Sequence, residues 1–440
     1  MENIKNIIEQ IAIQVNMIGG KMYYVGGYVR DLYCGKNSSD IDVRVMGITK
    51  QQLDTILRQF GKTYWIKARY DLVKLIGLDI DFSSPENKDG SLKTIQDLTA
   101  GVDFTMNSIF IDVITGEVVD PYNGVEDIKN GIIRISNIDN IDDEFLAVRG
   151  ARFKAKLGFE FDPRSETVIK GFSFKDVKKQ RILLEFRKMI NDSEFFHSEF
   201  YRVALKLGIL DKLLSPLGEL NELSVNINGR SINAFEHTMR MLDYLAKYKG
   251  MISDFEELYV VALTYHLRSV DSGRIVDGFR TFFENILATN KMKNEVYFVQ
   301  DNETLLFDVY NNFQTMSDEE LLLIYQRYRK RLEDAGYFVE SFNMGLLPDV
   351  SEEQLKMSDE RLQAWKNKIE ELRIQSVKSI KSPTHGQKRN LRRKARPGDK
   401  VSKGFTLDDI GEVTKDITPE QIQTHFDNAG SRREKYERNR

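Results

Sequence analysis

Apolar positions recur along this chain with two different periods, and the change of period divides it. Ile4, Ile7, Ile8 and Ile11 fall on one side of a helix and predict one over residues 1–18. From residue 20 to 135, short apolar runs bounded by Gly, Asn and Asp alternate with helical stretches, which predicts a mixed sheet. Met22 to Val25 and Ile41 to Met46 are two of its strands, and Ile132 to Ser136 is expected to be the last. From Asp142 onward strand patterns nearly vanish and apolar residues recur at three and four, with Phe145, Val148 and Arg152 opening the helical half. Gly171, Gly208, Pro216-Leu217-Gly218 and Gly229 mark turns between helices. Residues 350–375 read as a charged amphipathic helix that buries Leu355, Leu362, Trp365, Ile369 and Leu372. The expected class is α+β: a head with a mixed sheet (1–138), then an all-α neck (139–225), body (226–375) and tail (376–440).

The densest chemistry lies at the start of the head. The strand Met22–Val25 runs into Gly26-Gly27, and Tyr28 to Tyr33 pattern as the first turns of a helix. A double glycine between strand and helix lets backbone N–H groups approach an anion, here with Arg30 beside them. Asp40-Ile41-Asp42 then opens the next strand, and alternation sends both aspartates to one face, about 6–7 Å apart. Two carboxylates beside a phosphate cradle can hold a divalent metal, ordinarily magnesium. This combination describes a site for nucleotide transfer.

Gly26-Gly27-Tyr28-Val29-Arg30-Asp31 followed by Asp40-Ile41-Asp42 resembles the head signature of class II nucleotidyltransferases, the bacterial-type CCA-adding tRNA nucleotidyltransferases and poly(A) polymerases. Later segments follow the same family order: Leu78 to Pro85 with Asp81, Asp103-Phe104-Thr105-Met106-Asn107-Ser108, Val119 to Ile128, Asp142-Asp143 through Arg149 to Phe153, and Arg181 to Lys188 with Glu185. The resemblance covers residues 20–190 and fades afterwards. It implies a polymerase-β-like head in which Asp40 and Asp42 hold magnesium, with Asp81 as a third carboxylate. One metal would activate the 3′-OH of an RNA and the other would brace the triphosphate and the leaving pyrophosphate. Gly27 and Arg30 would contact phosphates, Asp103 and Asn107 would fix the strand and the sugar edge, and Asp143, Arg149 and Arg152 would form the face that reads the base. The implied activity is addition of nucleotides from an NTP to an RNA 3′ end, that of tRNA above all.

Departures from the pattern bear on specificity. The family's R-R-D before F-T is here Gly101-Val102-Asp103, so both arginines are absent. Leu146 stands where the family has the arginine that works beside the motif's aspartate, here Asp143, to read a base edge. An arginine fork bonds a base or phosphate bidentately, and leucine does neither. The retained metal carboxylates imply a working site with altered nucleotide choice. The competing expectation is an inactive RNA-binding descendant of the same fold.

Composition refines this outline. With 440 residues, 41% hydrophobic and 30% charged, the chain has room for several domains. No stretch approaches the ~20 apolar residues of a membrane span. The N-terminus lacks a cleavable-signal pattern, and Cys34, the single cysteine, fits a reducing, cytoplasmic setting and is expected simply to pack. The net charge of −3 hides a block between Lys378 and Lys403 that carries +9 and leaves −12 on the rest. Within it, Lys388, Arg389, Arg392, Arg393, Lys394 and Arg396 are expected to contact an RNA backbone, since the block has no interleaved aromatics for stacking. Glu236 to Asp243, around His237, resembles the first helix of HD-type phosphohydrolases. Leu267 follows His266 where such a site needs an aspartate, so both histidines are expected to be structural.

Overall fold

Seven strands form one mixed sheet whose register brings the head's carboxylates together. The computed structural model describes residues 2–36, 41–66, 72–76, 80–141, 143–191, 197–269 and 275–381. Helix α1 (Glu2–Met17) leads into β1 (Lys21–Val25), α2 (Gly26–Tyr33), β2 (Ile41–Met46), α3 (Lys50–Leu57), β3 (Thr63–Ile66), β4 (Leu72–Leu75) and β5 (Ile80–Ser83). After α4 (Ile95–Thr99) come β6 (Phe110–Asp112), β7 (Val118–Val119), α5 (Gly124–Lys129) and β8 (Ile132–Ile133). The strand order is β3-β4-β5-β2-β1-β6-β7, with β2 and β5 parallel and the other neighbours antiparallel.

Alternation along β2 decides which side is core. Ile41, Val43 and Val45 are buried together with Ile8, Ile11 and Val15 of α1 and Leu53 and Leu57 of α3, as the period-3.6 pattern of α1 requires. Asp42, Arg44 and Met46 alternate to the opposite face. There a smaller cluster of Tyr23, Val25, Leu98 and Phe110, joined by Met46, forms the floor on which the site is built.

Helices dominate the rest: α6 (Leu146–Leu157), then β9 (Glu160–Phe161), α7 (Pro163–Lys170), α8 (Lys179–Asn191), α9 (His197–Lys206) and α10 (Ile209–Leu213). A hairpin of β10 (Ser224–Ile227) and β11 (Arg230–Asn233) precedes α11 (Ala234–Lys247), α12 (Phe255–Thr264), α13 (Ile275–Asn285), α14 (Asn290–Asn312), α15 (Asp318–Tyr328), α16 (Lys330–Gly345) and α17 (Glu352–Lys381). Residues 1–373 make one compact unit, and the described part of the second, residues 374–381, is helical. In α17, Leu362, Trp365, Ile369 and Leu372 are buried as the stripe predicts, and Leu355 is partly so.

Two expectations need correction. Ile132–Ile133 does not extend the head sheet; it pairs in parallel with β9, so it ties the head to the helix that follows. Gly229 is the second residue of a hairpin turn rather than a joint between helices. Asn228 and Gly229 both have positive φ (53° and 79°), the conformation that an Asn-Gly pair adopts in a two-residue β-turn. The α6 helix docks on the head through Gly150, where a Cβ would lie 2.9 Å from Phe104 Cζ and from Phe161 Cε1. Phe104 meets Phe153 edge-on, with ring centroids 5.9 Å apart.

Candidate active site

The β1–α2 junction, Asp42 and Asp81 come together through strand register. Val25 pairs with Asp42 and Asp42 pairs with Asp81, so both carboxylates stand beside the start of α2. Gly26 has φ +65°, a left-handed conformation that suits glycine, and a Cβ there would come within 3.3 Å of Asp42 Oδ2. Asp40 lies outside the described residues. The donors present fit a hard divalent cation: two carboxylates on one face, one of them, Asp81, already holding the Lys74 ammonium at 2.7 Å. Among the described residues no group of three or more His, Cys, Asp or Glu side chains could hold a metal ion.

Beneath this platform runs a chain of charge-assisted bonds. Arg30 is buried; its Nη1 donates to Asn107 Oδ1 (3.0 Å), and Nε and Nη2 donate to Asp31 Oδ1 (2.9 and 2.6 Å). Asn107 Nδ2 donates to Asp103 Oδ1 (3.0 Å), which also accepts from the Phe104 N–H (2.8 Å). Asp103 Oδ2 in turn pairs with Arg149 Nη1 at 2.8 Å. Three guanidinium groups surround Phe153: Arg152 at 4.6 Å, Arg30 at 4.9 Å and Arg149 at 5.9 Å from the ring centroid. Asp103 and Asn107 are therefore buried and link Arg30 to Arg149.

Arg152 is held by Glu185 of α8, Nε to Oε2 at 2.7 Å, and Lys188 donates to the other oxygen at 2.9 Å. Burial alone would raise the Glu185 carboxyl; Arg152 and Lys188 overrule it and keep the group below its ordinary range. Arg152 thus works as a strut between α6 and α8 as well as lining the site.

Two adjoining cavities share Arg44, Ala100, Gly101, Val102, Asp103 and Arg149. The first, about 730 Å³, holds Gly26, Gly27, Arg30, Asp42, Asp81 and Arg152, with Lys156 and Lys188 on its wall. The second, about 610 Å³, is lined by Asp143 and Leu146 together with Lys50 and Lys93. Both are within the usual size of small-ligand pockets, ~300–1,000 Å³. The uncharged Gly101 and Val102 stand between them. Arg44, Lys93, Lys156 and Lys188 were not singled out from the sequence as site residues, although two had a legible cue. Arg44 is two positions after Asp42 on the same strand face, and Lys156 follows Arg149 by seven on one helix face.

Asp143 stands just before α6 and is held from a second helix. Asp143 is clasped by Arg181 of α8, Nη1 to Oδ1 at 2.8 Å and Nη2 to Oδ2 at 2.7 Å. The guanidinium lies 4.2 Å from the Phe145 ring centroid, and the Phe145 N–H donates to Asp143 Oδ1 (3.2 Å). Leu146 is buried at the cavity wall. Lys388, Arg389, Arg392, Arg393, Lys394 and Arg396 lie outside the described residues.

His237 and His266 face one another in the helical body, Nδ1 to Nε2 at 2.7 Å, and His237 Nε2 donates to the Phe342 carbonyl (3.0 Å). A carbonyl only accepts, so His237 carries its proton on Nε2 and its Nδ1 accepts from His266. Both rings are neutral: burial pushes His237 down to about 4, and burial with the neighbouring His237 and Arg268 pushes His266 down to about 3. Unfolded imidazoles titrate near 6.5. Between 6.5 and about 4 the unfolded chain therefore takes up protons that the folded chain refuses, and stability falls as pH falls. Denaturant titrations at pH 7.5 and pH 5.5 should show a loss of about 1.4 kcal/mol per pH unit per imidazole below the unfolded value. Equal stability at both pH values contradicts the neutral pair.

Residues 22–134 match the family model for the Poly A polymerase head domain. The CCA-adding enzyme of Francisella tularensis subsp. novicida (strain U112) is 30% identical over 210 residues, 42% of this chain and 55% of that protein. The CC-adding tRNA nucleotidyltransferase of Shouchella clausii (strain KSM-K16) is 29% identical over 184 residues, 41% of this chain and 47% of that one. The chain spans about half the length of the curated relatives it matches. A CCA-adding enzyme solved with ATP superposes with a TM-score of 0.59 at 18% identity, over 83% of this chain and 84% of its own. A tRNA nucleotidyltransferase solved with a primer tRNA and an incoming ATP analog gives 0.56 at 19% identity, over 79% and 99%. At such identity these neighbours speak for the fold, which is the α+β arrangement of mixed-sheet head and helices described above. Residues 22–134 therefore carry a head domain of the Poly A polymerase type, and the sequence relatives and solved neighbours to which the chain is similar are CCA-adding enzymes.

Proposed function

We propose that this chain transfers nucleotides from NTPs to an RNA 3′-OH, that of tRNA in particular, and releases pyrophosphate. The observation that carries this is the register of Asp42 and Asp81 beside the Gly26-Gly27 turn, with cationic side chains along the same cavity. Asp42 and Asp81, with Asp40, would hold the divalent metal, magnesium, and Asp40 and Asp42 are the pair for a two-metal arrangement. Bound there, the metal supplies charge neutralisation on the phosphates and acidifies the attacking hydroxyl. Backbone N–H groups at the start of α2 bind and orient the triphosphate. Arg149 is held by Asp103 and so presents its guanidinium to the phosphates in one orientation.

Arg44 carries charge where Gly101 and Val102 carry none. It lines both cavities, on the same strand face as Asp42, and is suited to the phosphate chain between them. Arg44→Ala should raise the KM for NTP by about tenfold, the ~1.5–3 kcal/mol of a charged hydrogen bond reduced by solvent exposure, with a smaller change in kcat. Steady-state kinetics check this, and an unchanged KM contradicts it.

The function is tested by extension of a labelled tRNA transcript that lacks its 3′ CCA, with magnesium and each NTP in turn. Extension with pyrophosphate release supports transfer. Failure with every NTP on that transcript and on pooled cellular RNA, together with salt-sensitive RNA binding, favours the binding descendant, to which Leu146 and Gly101-Val102 point.

A further inference from the structure

We infer that a cavity in the helical body binds a nucleobase, carried either by a free nucleoside or by single-stranded RNA. The cavity shares no wall residue with the two at the head, so the inference goes beyond the proposed transfer site and does not depend on it.

The cavity, about 470 Å³, lies between the β10–β11 hairpin, α14, α16 and the short helical turn Tyr265–Ser269 that follows α12. That is the size of a small-ligand pocket, ~300–1,000 Å³. Its apolar part is largely aromatic. Phe307 and Tyr265 meet Phe342 edge to face, with ring centroids 4.8 and 5.3 Å from it. Half-buried Val225 and Ile227 of the hairpin complete this part of the wall. Such a lining suits a flat heterocycle, because every base has a π-face that an aromatic ring can meet.

Charge in the cavity is cancelled. Arg268, the one cation of the described lining, is bonded to Glu303, and the Tyr265 hydroxyl donates to the same carboxylate. A phosphate or a metal ion finds no uncompensated opposite charge here, and an uncharged ligand needs none. The polar groups that remain are amides and one imidazole. Asn228, Asn311 and Asn343 line the cavity, and no protein group among the described residues bonds their side chains. His266, 3% exposed, gives its Nε2 proton to His237 Nδ1 and so keeps an accepting lone pair on Nδ1. Amide donors and acceptors beside aromatic rings match the edge of a base, where amino, carbonyl and ring-nitrogen groups alternate. A purely apolar ligand would leave those amides unpaired.

Equilibrium dialysis of the full chain with labelled adenosine, cytidine, guanosine and uridine tests this. Wild type is compared with Asn311→Leu/Asn343→Leu, with Ile227→Arg, which puts bulk and charge on the hairpin wall, and with Asp42→Ala/Asp81→Ala in the head. At least one nucleoside should bind to wild type. Both body variants should weaken it by at least about tenfold, the effect of losing two neutral hydrogen bonds, and should keep the wild-type melting curve. The head variant should leave it unchanged. If one body variant fails to fold, the other carries the test, since they alter different elements. Short homopolymer RNA strands used as competitors separate the sources: displacement at lower base concentration than the nucleoside needs assigns the site to RNA, and the reverse assigns it to the free nucleoside. Binding that both body variants leave unchanged, or that the head variant removes, overturns the inference. So does the absence of binding by every nucleoside and every strand.

Discussion

Asp42→Ala should lower nucleotide transfer by at least a thousandfold and leave the thermal midpoint unchanged or slightly raised. Asp42 lies in the middle of the platform, between the Gly26 turn and Asp81, and it is on the exposed face of β2. Under the proposed function, removing it takes away an oxygen pair that would hold the metal, whose charge stabilisation is of the order of 4 kcal/mol, about a thousandfold at 1.36 kcal/mol per factor of ten. The fold loses little, because Val43 and Val45 supply the core face of the strand and one of two neighbouring negative charges disappears. Asp42→Asn, nearly isosteric, should behave the same way. Single-turnover extension and a melting curve on the same preparation check both halves. Residual transfer within tenfold of wild type contradicts the assignment, and a collapse of the melting point assigns Asp42 a structural role.

Glu185→Ala should cost about 3–5 kcal/mol of stability, the penalty for leaving a buried charge without its partner. Glu185 is 6% exposed, and Arg152 and Lys188 both converge on it. Without it the Arg152 guanidinium stays enclosed against Phe153 with no counter-charge, between α6 and α8. The pH dependence follows from the carboxyl being held below its ordinary 4.5: the contribution is present in full above that value and is lost as pH falls below it. Wild type should thus lose stability below pH 4.5, and Glu185→Ala, already weakened, should lose less there. Arg152→Met combined with Glu185→Leu should recover part of the loss, because no orphan charge remains. Denaturant midpoints of wild type and the two variants measure this. Equal stability of Glu185→Ala and wild type contradicts the account of the strut.

Much of the head was legible because its cues are local. The strand, double glycine and helix from Met22 to Tyr33 are adjacent in sequence, and period-two alternation alone gives the outward face of Asp42. Pairings between distant segments were not legible. Arg30 meets Asn107 across 77 positions and Arg181 meets Asp143 across 38, and nothing in either segment announces its partner. The bonds that tie Asp103 and Asn107 to Arg149 and Arg30 were hidden for the same reason, since only the folded chain brings those arginines near. The hairpin at Asn228-Gly229 was legible in principle, since Asn-Gly between alternating residues is a strong turn pattern, but the surrounding helical periods outweighed it. Residues Ile132–Ile133 have a strand composition that cannot say which strand they will join.

Binding of labelled ATP by equilibrium dialysis, with calcium in place of magnesium so that no turnover occurs, tests the central claim most directly. Wild type and the double variant Asp42→Ala/Asp81→Ala would be compared with and without the metal. Binding that depends on the metal in wild type and is lost in the double variant is the predicted result. Metal-dependent binding that survives loss of both carboxylates would show that the nucleotide sits elsewhere and would contradict the account.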